Sequence, residues 1–196
     1  METLELRWFV AGSLTDDRLR AFAEADGRGG DAGDGSVERR TDHYQLGLPA
    51  TDGIKRRGRE GLLEHKRRLA QTPIELALAR GPVPVPGVVE RWVKTWPSAS
   101  ASAEGLAWIE LAKRRATRRL SGPARAELTA LTGPALVGPH WTLAVETSDL
   151  TALPRLLELA AALLAREPDL ATALTGPDTL AESCGYPAWL THQRPA

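Results

Sequence analysis

The sequence predicts an α+β fold, an eight-stranded antiparallel β-barrel with flanking α-helices, from three observations. Short segments that alternate apolar and charged residues recur along the chain, which is the period of a strand buried on one face. Two other segments repeat their apolar residues every three to four positions, the period of an amphipathic helix. Charged faces recur in about eight candidate strands whose apolar faces, rich in Trp and Leu, need cover, and a closed barrel of that size would turn the charges inward and set the apolar faces under helices.

The elements follow in order. Leu4, Leu6 and Trp8 alternate with Thr3, Glu5 and Arg7. A helix is expected next, with Ser13 or Thr15 as cap, Asp16 and Asp17 in a first turn where the dipole favours anions, and Leu19, Phe22 and Ala23 as its stripe. Asp26 to Ser36 reads as a Gly- and Asp-rich loop. The strand Ile54 to Arg57 carries Lys55 and Arg57 on one face, and Leu62 to Arg68 carries Glu64, Lys66 and Arg68, with His65 facing away. A short helical piece is expected from Pro73 to Arg80, then a Pro/Val connection from Gly81 to Gly87. In Val88 to Trp96, Lys94 shares a face with Trp92 and Trp96, for which core packing is preferred over stacking on a ligand ring.

A Ser/Ala tract from Pro97 to Gly105 separates this strand from Trp108 to Arg115. There Lys113 and Arg115 are in phase with Ile109 and Leu111, a conflict that a β-bulge would relieve. Ala126, Leu128 and Ala130 alternate with Glu127 and Thr129, and Trp141, Leu143 and Val145 alternate with Thr142, Ala144 and Glu146. The second helix has Thr151 as candidate cap, Pro154 in its first turn and a wide face of Leu153, Leu156, Leu157, Ala160, Leu163 and Leu164, and Pro168 ends it.

At 196 residues the chain suits a single domain over 1–196, with a 42% hydrophobic and 26% charged composition far from that of disorder. Its apolar stretches are too short to span a membrane, and the start of the chain lacks the pattern of a signal peptide. With Cys184 as the single cysteine, expected to be structural, a cytoplasmic setting fits. Lys plus Arg and Asp plus Glu number 25 each, which argues against bulk binding of nucleic acid, and the cluster Arg114 to Arg119 reads better as a solvated strand end. His43, His65, His140 and His192 show no zinc spacing. The sequence does not set the oligomeric state, and a homodimer is one option.

Charged faces turned into a barrel would bring together more cations than carboxylates, and a buried charge without a partner is too costly to keep. The excess calls for a polyvalent anion. A phosphate chain suits it, since Arg binds phosphate in a bidentate manner and Lys supplies a point charge, while the interspersed carboxylates suit a hard divalent ion such as Mg²⁺ or Mn²⁺.

The succession of Glu5 and Arg7, Lys55-x-Arg57, Glu64-x-Lys66-x-Arg68, Lys113 with Arg115, Glu127-Leu-Thr, the Trp141 to Glu146 strand and the closing Ser183-Cys-Gly-Tyr-Pro-Ala-Trp-Leu190 resembles the CYTH-like superfamily, the triphosphate tunnel metalloenzymes, as a divergent member. The resemblance spans nearly the whole chain and implies an eight-stranded tunnel that binds a triphosphate, polyphosphate or other organic phosphate together with a divalent metal. It implies Glu5, Glu127 and Glu146 as metal ligands and Arg7, Lys55, Arg57, Lys66, Arg68, Lys113 and Arg115, together with Lys94, as phosphate contacts. Where the family has Glu-x-Glu-x-Lys, this chain has Thr3-Leu-Glu5-Leu-Arg7, so one acidic ligand is missing and a second metal is disfavoured. The activity implied is metal-dependent phosphohydrolysis of the triphosphatase type. The alternatives are a phosphate- or polyphosphate-binding module that has lost catalysis, and an enzyme of the adenylate-cyclase kind, against which the missing glutamate counts.

Overall fold

The computed structural model describes residues 1–25, 36–57, 62–78, 84–96, 107–176 and 181–193. Eight long strands follow one another as β1 (Glu2–Ala11), β2 (Glu38–Gln45), β3 (Asp52–Arg57), β4 (Leu62–Leu76), β5 (Val85–Thr95), β6 (Trp108–Arg119), β7 (Ala124–Thr132) and β8 (His140–Thr147). Helix α1 (Asp16–Glu24) lies between β1 and β2, and after β8 come α2 (Leu153–Arg166), α3 (Pro168–Thr175), a two-residue strand β9 (Glu182–Ser183) and α4 (Tyr186–His192). Every strand pairing is antiparallel, in the order β5-β4-β3-β2-β6-β7-β8-β1, and pairing of β1 with β5 closes the sheet into a barrel. β9 adds to β1 beyond the end of β5, with Trp8 opposite Ser183.

Period-two alternation divides the side chains between two environments. Leu4, Leu6 and Trp8 of β1 point outward with Ala126 and Leu128 of β7 and Leu143 and Val145 of β8, and they pack with Leu19 and Phe22 of α1, Leu156 and Leu163 of α2, and Leu170 and Leu174 of α3 in one buried cluster. Each such side chain contributes about 1.5–3 kcal/mol by leaving water. Helix α1 begins where Thr15 accepts a hydrogen bond from the Arg18 amide.

The structure corrects the expected elements at several points. β2 has no counterpart among them, because it is polar on both faces. Pro73 to Leu76 continues β4 as strand, pairing with Val85–Val88, so Val85 to Gly87 is strand rather than connection. Past Arg67 β4 has β5 as its one neighbour, the edge setting in which a strand tolerates proline. The remainder of the expected helical piece (79–80) lies outside the described residues, as do most of the loop expected from Asp26, the Pro/Val connection at 81–83 and the Ser/Ala tract at 97–106.

Thr151 does not cap α2; its amide and hydroxyl donate to Asp149 in the preceding turn, and Ala152 is the capping residue. Pro168 ends α2 as expected and also opens α3, where its missing N–H is no loss. The Arg114 to Arg119 cluster is not a solvated strand end. Arg114 pairs with Asp16, and Arg118 is buried, donating to the Phe22 carbonyl and to Glu167, which fastens α1 and the start of α3 onto β6.

Candidate functional site

The inward face of each of β1, β6 and β7 changes character along the barrel axis. On β1 it runs Thr3, Glu5, Arg7, Phe9; on β6 it runs Ile109, Leu111, Lys113, Arg115; on β7 it runs Arg125, Glu127, Thr129, Leu131. Antiparallel pairing sets the apolar ends of these rows together and the charged ends together. The apolar ends are filled by the closing segment. Phe9, Tyr44, Ile109, Leu111 and Leu131 form a second buried cluster with Trp189 and Leu190 of α4. The phase conflict in β6 is thereby explained without a bulge, since its register with β2 and β7 is continuous and Ile109 and Leu111 face a plug where Lys113 and Arg115 face a cavity.

The plug is well seated. Trp189 stacks on Phe9 with ring centroids 4.4 Å apart and 7° between planes, and Tyr186 stacks on Tyr44 at 5.3 Å. Two glycines admit it. A Cβ at Gly53 would come within 2.7 Å of Pro187, and one at Gly185 within 2.5 Å of the Trp92 ring. Ser183 ties the segment to both neighbours, accepting from the Val88 amide (2.7 Å) and donating to the Arg7 carbonyl (2.9 Å).

Above the plug lies an open-mouthed cavity whose ≈ 630 Å³ of empty space includes open solvent at the mouth. Nine basic side chains line it, Arg7, Arg40, Lys55, Arg57, Lys66, Lys94, Lys113, Arg115 and Arg125, against four glutamates, Glu5, Glu64, Glu127 and Glu146. Asp42, fully buried beside Lys113, and Glu38, which pairs with Arg40 and Arg115, bring the carboxylates to six, so basic side chains remain in excess. Side-chain exposure rises from 2% at Lys113 and 6% at Arg7 to 39% at Arg57 and 47% at Arg125, which places the mouth at the end away from the plug.

The charges are interlocked. Arg7 donates to Glu5 (2.7 Å), Glu127 (3.3 Å) and the Thr142 hydroxyl (3.2 Å); Lys66 holds the second oxygen of Glu5 at 2.5 Å, and Arg115 holds the second oxygen of Glu127 at 2.9 Å. Lys55 and Arg57 share Glu64 at 2.9 and 3.1 Å, and Arg125 pairs with Glu146. Tyr186 is the floor. Its ring lies 3.8 Å from Lys113 Nζ and 5.0 Å from Arg7 Cζ, while its hydroxyl is buried without a hydrogen-bond partner among the described residues.

Burial and crowding shift the titrations. Burial would raise the Glu5 and Glu127 carboxyls, but Lys66 and Arg7 for the first, and Arg7 and Arg115 for the second, hold both far below the usual carboxylate range. Burial lowers the lysines: Lys55 falls to about 8 despite Glu64, with Arg57 adding repulsion, and Lys113 falls well below its ordinary value despite Asp42. Glu90 rises by burial, which outweighs the bond from Arg68. Cys184 is pushed up to about 12 by burial and the nearby Glu182, in keeping with an inert thiol.

Of the residues expected to contact phosphate, Arg7, Lys55, Arg57, Lys66, Lys94, Lys113 and Arg115 line this one cavity, whereas Arg68 turns aside to Glu90 at 2.5 Å and lies outside the lining. Trp92 is buried in the wall and Trp96 is exposed. Sequence reasoning missed Arg40, Asp42 and Tyr44 of β2, Arg125 and Tyr186. No hydrophobic period marks the first three, which lie on a strand polar on both faces, whereas Arg125 is in phase with Glu127.

Glu5, Glu127 and Glu146, the expected ligands for Mg²⁺ or Mn²⁺, also line the cavity, and Glu5 and Glu146 are register partners on β1 and β8. As disposed, they do not form a metal cage. Five of their six oxygens are held by protein cations, Thr3 supplies no carboxylate, and no group of three or more His, Cys, Asp or Glu among the described residues is placed to hold a metal ion.

No protein-family model matches the sequence, and neither does any curated protein. Among solved structures the chain is similar to the RNA triphosphatase Pct1 of S. pombe, at 13% identity over 85% of this chain and 81% of that one with a TM-score of 0.46. It is also similar to the putative adenylyl cyclase HpAC1 from Hippeastrum, described as having a dominant triphosphatase activity, at 11% identity over 86% and 88% with a TM-score of 0.44. The assignment of a closed barrel rests on the strand register itself rather than on these distant likenesses.

Proposed function

We propose that the lumen binds the phosphate chain of a triphosphate or related organic phosphate and that the protein is a phosphohydrolase of the triphosphate-tunnel type. The observation that carries this reading is the convergence of nine basic side chains on one cavity whose own carboxylates cannot neutralise them. Arg7, Arg115 and Arg57 can exchange a glutamate for phosphate oxygens, with the geometry of a planar fork retained, and Lys55, Lys66 and Lys94 supply charge toward the mouth. Hydrolysis of a phosphoanhydride places added negative charge on the bridging and terminal oxygens, and fixed guanidinium groups in an enclosed site stabilise it. As disposed, Glu5, Glu127 and Glu146 pair with protein cations and form no metal cage, so no step is assigned to a metal.

The same pairing favours a second reading, a module that binds phosphate chains without turning them over, because Glu5 and Glu127 are held ionised and hydrogen-bonded and are poor proton acceptors. Phosphate release from tripolyphosphate, thiamine triphosphate and nucleoside triphosphates, measured with Mg²⁺, with Mn²⁺ and with EDTA, separates the two. Release above the buffer blank is expected for the hydrolase. Binding without release under all three conditions leaves the module, and neither binding nor release removes both.

A further inference from the structure

The mouth of the lumen is not charged all round. Five large apolar side chains are exposed among the described residues, Met1, Leu62, Leu69, Trp96 and Val137, and Met1, Leu62 and Trp96 stand at the ends of neighbouring strands on the rim. Met1 exchanges backbone hydrogen bonds with Lys94 at 3.0 and 2.8 Å, which sets the start of β1 beside the end of β5, and His65 opposite Thr95 sets the start of β4 on the other side of β5. By strand phase Met1 continues the inward row of Thr3 and Glu5, Leu62 that of Glu64 and Lys66, and Trp96 that of Trp92 and Lys94. One arc of the rim is therefore apolar, and Lys94, Glu64 and Lys66 follow it inward on the same rows.

We propose that this arc is a subsite for the head group of an organic phosphate, a planar aromatic ring that lies on the Trp96 indole while its phosphate chain occupies the lumen. This rests on the phosphate-binding reading above and names the ligand class: triphosphate esters of an aromatic head group. Core packing accounts for Trp92, which is fully buried, donates its indole N–H to Glu90 at 3.1 Å and carries Lys66 over its ring. It does not account for Trp96, which is 60% exposed and makes no hydrogen bond, ring stack or cation contact with another described residue. An apolar side chain exposed singly is ordinary, but an indole flanked by Met and Leu at a cavity mouth forms a patch of the kind that marks a binding site. Continuity with the basic cavity identifies the occupant, because a group covering this arc is joined to whatever anion lies inside. A flat ring suits it, since the indole offers a face for stacking and the flexible Met1 side chain adapts to the ring edge.

The test compares ATP with ribose 5-triphosphate by titration calorimetry in EDTA, since the two carry the same phosphate chain and the same charge and differ in the base alone. ATP is expected to bind about tenfold more tightly, the effect of one ring stacked on an aromatic side chain. Trp96→Ala is expected to bring ATP down to the affinity of ribose 5-triphosphate, and Trp96→Phe to keep most of the difference. Equal affinity for the two ligands in the native protein overturns the subsite, and a difference that survives Trp96→Ala overturns its assignment to the indole. Failure of tripolyphosphate, ribose 5-triphosphate and ATP alike overturns the phosphate-binding reading beneath it. The other occupant such a patch could take is a second copy of this chain. Sedimentation that finds a native dimer converted to a monomer by Trp96→Ala assigns the arc to self-association and overturns the head-group subsite.

Discussion

The two ends of the lumen are built from the same strands and differ in almost every property. At the plugged end, inward residues are Phe9, Tyr44, Ile109, Leu111 and Leu131, packed against Trp189. From the plug to the open mouth, the same strands present Lys113 and Arg7, then Glu5, Arg40, Arg115, Glu127 and Arg125. The first end is held by burial of apolar area, which does not titrate, and the second by ion pairs that carry a desolvation cost and leave cations in excess. The lesson is that strand phase alone does not say what an inward residue does; position along the axis decides whether it stabilises the barrel or meets a ligand.

Variants at each end are expected to behave oppositely. The largest effect is at the plug. Trp189→Ala removes the ring stacked on Phe9 and is expected to lower stability by about 3–5 kcal/mol, read by urea unfolding. A loss below about 1 kcal/mol would mean that α4 is not the cover of that end.

Next is the boundary between the two ends. Lys113→Met leaves Asp42 buried without its closest cation, at 3.2 Å in the native protein, and is expected to cost about 3 kcal/mol; Asp42→Asn added to it recovers part of the loss. No recovery in the double variant would show that the two do not form a coupled pair.

The pH dependence separates binding from folding. Lys55, at about 8 in the folded protein against its ordinary 10.5, is neutral when folded but still protonated when unfolded between those values. Its contribution to stability therefore rises with pH through that window, while its contribution to anion affinity falls above pH 8. Tripolyphosphate affinity is expected to weaken several-fold from pH 7 to pH 9.5, and the decline to be blunted in Lys55→Arg. Parallel loss of affinity and melting temperature would contradict this.

The smallest effect on stability is at the mouth. Arg125→Ala, at a side chain 47% exposed and paired with Glu146, is expected to change stability by less than about 1 kcal/mol. Its affinity for tripolyphosphate falls all the same, with a shallower dependence on salt. A stability loss as large as that of the plug variant would erase the distinction between the two ends.

Much of the barrel was legible in the sequence, because alternation with a buried outer face is a strong signal in β1, β7 and β8, and the caps and stripe of α1 are local. β2 was not, since Arg40, Asp42 and Tyr44 face a polar lumen while Thr41 and His43 face outward, and no hydrophobic period marks it. The continuation of β4 through Pro73 depends on a tertiary neighbour, β5, that local propensity does not report. Most of the basic lining was readable from phase, but Tyr186 was not. Its place on the cavity floor comes from α4 entering the barrel, a contact between residues nearly a whole chain apart.

Titration of tripolyphosphate into the protein in EDTA at low and at physiological ionic strength tests the central claim, that the open end is a site for a polyvalent phosphate chain. One ligand per chain is expected, binding far more tightly than orthophosphate and weakening as salt rises. Absence of binding, or affinity for tripolyphosphate no greater than for orthophosphate, would contradict it.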